Sequence, residues 1–174
     1  MMRRDQLLET DILNQKTPCM SLDFEKYAAK GNAFVRLVAD ELDAPRARAG
    51  RVISSVLHAI RSSLPTDDSL RLLGLLPFAL KSVYVDGWAA GHEKKPVIHL
   101  NDFLARVMNE DADLALCDFG DYESEKEAVA SVFRVLNYFV SDAEMAALID
   151  TLPLPLHAFV RNSIGINAEA VQVV

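Results

Sequence analysis

The sequence predicts an all-α protein, a helical bundle built from two pseudo-twofold-related repeats of about four helices each. Three observations predict it. Apolar residues recur at i, i+3, i+4 and i+7 along most of the chain, the spacing of helices that bury one face. No segment alternates apolar and polar residues between turn signals, as a half-buried strand does. The stretch "SLRLLGLLPFALKSVY", Ser69 to Tyr84, has a counterpart in "MAALIDTLPLPLHAFV", Met145 to Val160, each an apolar run broken by Leu-Pro.

The elements follow in order. Phe34, Leu37, Val38 and Leu42 form the first stripe, and Val52, Ile53, Val56, Leu57, Ile60 and Leu64 a second, wider one. Pro45 suits the first turn of that second helix, where a missing N–H costs nothing. In "LPTDDS" the second helix ends and a third begins, with Thr66 expected as its N-cap. A proline removes one backbone donor and drives its predecessor from the helical region, so this helix is expected to stop or kink at Leu76. After "VYVDGW", Gly87 is expected in the left-handed conformation, with Trp88 folding back in a Schellman-type contact. Beyond the polar "AAGHEKKP", Asn101 is expected to cap "DFLARVM". Val129, Val132, Phe133, Leu136, Phe139 and Val140 form the third stripe, and Ser141 with Glu144 has capping-box spacing before the second Leu-Pro run.

Aligned at their prolines, Pro77 and Pro153, the two halves match without a gap back to Val52 and Ala128, apolar positions on apolar positions. Upstream, "FVRLVADEL" from Phe34 answers "FLARVMNED" from Phe103. The pattern is read as an internal duplication: an N-terminal extension (1–21), repeat one (22–88), a connector (89–100), repeat two (101–160) and a tail (161–174). One such unit has too few buried side chains to be stable alone, whereas two can seal a common core.

Composition narrows the function. A chain of 174 residues is long enough to bury a core without disulfide or metal staples. The net charge of −7 argues against nucleic-acid and membrane-surface partners; the one compact basic run, "PRARAGR" from Pro45, opens a helix and reads as a solvated face. Cys19 and Cys117 lie far apart and form neither a disulfide framework nor a zinc set. Acidic residues interrupt the N-terminal apolar residues, and no stretch approaches the roughly 20 apolar residues of a membrane span. A cytoplasmic location is the default expectation.

"RVISSVLHAIRSSLPTDDSLRLLGLLPFALKSVYVDGW" resembles a bacterial family known only as domain of unknown function 2267 (DUF2267). That family shows a Val-Leu-His-Ala-Leu helix, a Leu-Pro step and an aromatic-acidic-Gly-Trp ending. Val56, Leu57, His58, Ala59, Leu76, Pro77, Tyr84, Asp86, Gly87 and Trp88 fit those places. The likeness runs from about Phe34 to Val160, with Asn101 to Val160 as a divergent second copy. Leu75 and Lys81 depart from it, standing where the family often has Gln and Arg. The resemblance implies an all-helical duplicated fold and lends no catalytic residue.

The residues themselves offer little chemistry. None of the four histidines has His-x-x-x-His spacing, and in "HEKKP" Pro96 stands where a zinc-protease motif needs its second histidine. Asn109, Asp111 and Asp113 begin an EF-hand frame, but Leu114 replaces the glycine and Gly120 the closing glutamate. "DFG" at Asp118 stands alone, and the carboxylates of "DYESEKEA" suit a helix N-terminus without any catalytic role. Cys117 has no fitting histidine signature. No catalytic, metal-binding or cofactor-binding residue is assigned, and an enzyme is not expected.

His58, Lys81, Tyr84 and Trp88 remain as a possible ligand or partner surface, with His58 facing Asp40 or Tyr84. The function expected is a non-enzymatic protein-interaction or self-association module. The alternative is a small-ligand-binding protein, or an unrecognised enzyme, with a pocket between the repeats.

Overall fold

The computed structural model describes residues 23–89, 96–110 and 121–165, which form eight α-helices and no strand. They are α1 (Phe24–Glu41), α2 (Arg46–Ser63), α3 (Thr66–Leu75), α4 (Phe78–Val85), α5 (Leu100–Glu110), α6 (Tyr122–Phe139), α7 (Asp142–Thr151) and α8 (Leu154–Ser163). The all-helical expectation holds. Cys19, His92, Cys117 and the acidic stretch from Asp111 to Gly120 lie outside the described residues.

Helix boundaries follow the local chemistry, with three corrections. The Asp23 carboxylate accepts from the Lys26 N–H at 3.0 Å and starts α1. Ser141 and Glu144 form the expected capping box. Thr66, however, is the first helical residue; the N-cap is Pro65, whose carbonyl accepts from the Ser69 N–H at 2.9 Å. Pro45 likewise precedes α2 as its N-cap. The ring fixes φ and offers no N–H, which suits a residue whose backbone is still extended. Asn101 lies inside α5, because the Asp102 carboxylate reaches back to the Ile98 and His99 N–H groups at 3.1 and 2.7 Å. A charged acceptor satisfies those donors better than the amide does, and the Asn101 side-chain Oδ1 accepts from the Tyr122 hydroxyl instead.

Three of the prolines, Pro65, Pro77 and Pro153, also act on the residue before them. Leu64, Leu76 and Leu152 are extended, with ψ of 145°, 145° and 158°, and each ends a helix or prevents its continuation. The chain therefore turns at Leu76–Pro77 and Leu152–Pro153, and both leucines are buried.

The long helices α2 and α6 pack on each other at the centre. Helix α1 lies on α2 and also crosses to α6, while α5 lies on α2 and touches α6. Helix α3 packs on α7, α4 on α1 and α2, and α8 on α6 and α7. The buried side chains form one continuous core, with Phe34, Phe103, Phe133 and Tyr84 among its largest members. The limits of α2 and α3 recur 76 residues later as those of α6 and α7, and the first residues of α4 and α8 keep the same interval.

Helices α1 and α4 approach closely at Gly31, where an added Cβ would lie 2.8 Å from the Ala79 Cβ. Gly74 on α3 is exposed and an added Cβ there meets nothing within 4 Å. The same substitution should therefore act in opposite directions. In urea denaturation, Gly74→Ala gains up to about 1 kcal/mol from helix propensity. Gly31→Ala loses stability despite that gain, and loses less in an Ala79→Gly background.

Candidate functional site

His58, Tyr84 and Trp88 come together where α4 ends, and Arg61, one turn beyond His58 on α2, joins them. The last carbonyls of a helix have no partner within it, and here each receives a donor. His58 Nε2 donates to the Val83 carbonyl at 2.8 Å. Arg61 Nη1 donates to the Tyr84 and Asp86 carbonyls at 2.6 and 2.7 Å. The Trp88 N–H bonds to the Val85 carbonyl at 3.0 Å. Two side chains of α2 and one backbone amide thus close the end of α4.

The turn itself differs from the expectation. Gly87 is left-handed at φ +62°, but Asp86 is extended at φ −59°, ψ 133°. With the Trp88-to-Val85 bond this is a type II turn, in which glycine takes the position needing positive φ; it is not a Schellman motif. It brings Trp88 edge-on to Tyr84, ring centroids 6.2 Å apart, with the Arg61 guanidinium 6.0 Å from the indole centre.

The remaining polar groups are also engaged. The Tyr84 hydroxyl is buried and hydrogen-bonded to Ser69 Oγ at 2.7 Å. Burial pushes its pKa up, against the opposing effects of Ser69 and Arg61. The carboxylate facing His58 is Glu110 on α5, with Nδ1 to Oε2 3.9 Å, and not Asp40. Lys81 lies outside the cluster: its ammonium donates to the Gly74 carbonyl at 3.2 Å, across the α3–α4 bend. Reasoning from sequence missed Arg61 and Glu110. Arg61 had a signal, since "HAIR" places it three residues after His58 on one helix face.

A second feature is a groove of about 430 Å³ between the α2–α3 turn and the α7–α8 turn. Leu64, Pro65, Pro96, Pro153, Leu154 and Pro155 line it. Leu154 is 78% exposed, and Ile98, just beyond the groove-lining Val97, is 67% exposed. Two ion pairs stand at its edge, Asp68 with Arg71 at 3.7 Å and Asp150 with Arg161 at 3.6 Å.

Glu125, in the first turn of α6, is only 4% exposed, and its Oε1 has no hydrogen-bond partner. Burial raises its pKa from 4.5 to about 6. Seventy-six residues earlier the chain has Ala49, also buried. Among the described residues no group of three His, Cys, Asp or Glu side chains could hold a metal ion. No helix among them is long and apolar enough to cross a membrane.

Two outcomes follow. Arg61→Ala strips two carbonyls of a charged donor and should cost about 1.5–3 kcal/mol in chemical denaturation. It should also shift the emission of Trp88, the single tryptophan. For Glu125, the folded chain binds more protons than the unfolded chain between pH 4.5 and about 6. Its contribution to stability therefore falls as pH rises through that window and stays low above it. Glu125→Gln should remove this component, seen as a stability difference from the native chain that grows across the window in pH-dependent melting.

A search among curated proteins finds none that matches. A family model described as an uncharacterised conserved protein (DUF2267) matches residues 31–159, from the middle of α1 into α8. That interval contains the α4 cap, the groove and both Leu-Pro steps, so the chain belongs to the DUF2267 family.

Proposed function

We propose that the chain is a non-enzymatic helical interaction module, made of two copies of one four-helix unit (22–88 and 101–160) joined by a connector (89–100). The recurrence of helix limits at 76 residues and the matching Leu-Pro steps support the duplication. The exposure of Leu154 in a proline-lined groove carries the interaction reading. A leucine so exposed beside further apolar side chains gains from being covered by another surface.

The cluster first considered as a surface, His58, Lys81, Tyr84 and Trp88, supports the non-enzymatic part of the reading. His58 and Lys81 hold main-chain carbonyls, and the Tyr84 hydroxyl holds Ser69. The groove volume is also within the range of small-ligand sites, which keeps the alternative of a ligand-binding protein.

Light scattering on a size-exclusion column, with cross-linking mass spectrometry in cell extract, tests the reading. It predicts either a mass above that of one 19.2 kDa chain or cross-links from a partner to the groove-lining segments. A monomer that cross-links to nothing contradicts it, and a small molecule retained in native mass spectrometry favours the alternative.

A further inference from the structure

The groove has a filled twin in the same chain. Seventy-six residues before Pro153, Leu154 and Pro155 stand Pro77, Phe78 and Ala79. These line a small pocket with Tyr27, Lys30 and Gly31 from the first turns of α1. Tyr27 stacks on Phe78 with ring centroids 4.1 Å apart, and Gly31 lets α1 reach Ala79.

Among the described residues the second half has no such cover. With Phe34 matched to Phe103, Tyr27 corresponds to Pro96, and residues 96–99 are not helical; α5 starts only at Leu100. Leu154 is consequently 78% exposed, where Phe78 beneath Tyr27 is 46% exposed.

From this we infer that the groove docks an amphipathic helix of a partner protein, one resembling the start of α1: an aromatic residue, a lysine three residues on and a glycine or alanine at the fourth. The aromatic ring covers Leu154 as Tyr27 covers Phe78. The small residue permits close approach to Pro155. The lysine, in the place of Lys30, reaches a rim where Asp68 and Asp150 already pair with Arg71 and Arg161, and suits a chain whose net charge is −7. The inference rests on the interaction reading and specifies its partner.

The probe is a fluorescein-labelled peptide of residues Asp23 to Arg36, added to the full-length protein and followed by fluorescence anisotropy. Saturable binding is expected, weakened at least about tenfold, 1.4 kcal/mol, by Leu154→Glu and unchanged by Phe78→Glu, which tests for exchange with the chain's own α1. Melting curves of both variants check that they fold. No saturation, or binding lost with Phe78→Glu and kept with Leu154→Glu, overturns the inference. So does a dimer of the native protein that Leu154→Glu dissociates, since a second copy would then occupy the groove. That last result, or a partner cross-linked elsewhere on the chain, leaves the broader interaction reading standing.

Discussion

At Leu76–Pro77 and Leu152–Pro153 the proline ring forces its predecessor out of the helical region, so each apolar run becomes two short helices set at an angle. A single straight helix could not make both sets of contacts that the two short helices make. The bend instead folds α4 back along α2 and α8 back along α6, and both leucines of the step are buried. The missing N–H of each proline costs little, because the residue stands at an N-cap, before hydrogen bonding within the helix begins.

A short helix ending against the surface has a second difficulty, its unpaired carbonyls. In the first half α2 resolves it through His58 and Arg61, and the type II turn at Gly87 adds the Trp88 amide. The polar side chains that resemble a site thus serve to close the end of α4. In the second half α8 ends differently, on the left-handed Gly165, and the position matching His58 is Arg134. Arg134 binds Glu41 and Glu127 and so ties α1 to α6. The scaffold is shared while its polar details diverge, and the open groove beside Leu154 is a further difference.

Much of this was legible in the sequence. Helical periodicity gave the stripes of α2 and α6, and every residue named in the third stripe as far as Leu136 is buried. The Leu-Pro steps and the Ser141 capping box were readable because proline geometry and caps are local rules. Thr66 and Asn101 were misplaced by one or two residues because a neighbouring proline or carboxylate took the capping role. The candidate surface was only partly legible. His58, Tyr84 and Trp88 meet, but the arginine that organises them and the bond from Tyr84 to Ser69 depend on how three successive helices pack, which local rules do not give. A pocket between the repeats was anticipated as an alternative, but not the lining of this groove, which depends on turns contributed by both halves and on the chain before α5.

The central claim is that both halves bend alike at their prolines, and a pair of distances tests it most directly. Spin labels at the exposed positions 70 and 82 span the first bend, and labels at 146 and 158 span the second. With Cys19 and Cys117 replaced by serine, double electron–electron resonance should give the same distance distribution for both pairs. Distributions that differ between the halves, or a narrow peak near the ~18 Å of an unbroken twelve-residue helical span, would contradict the account.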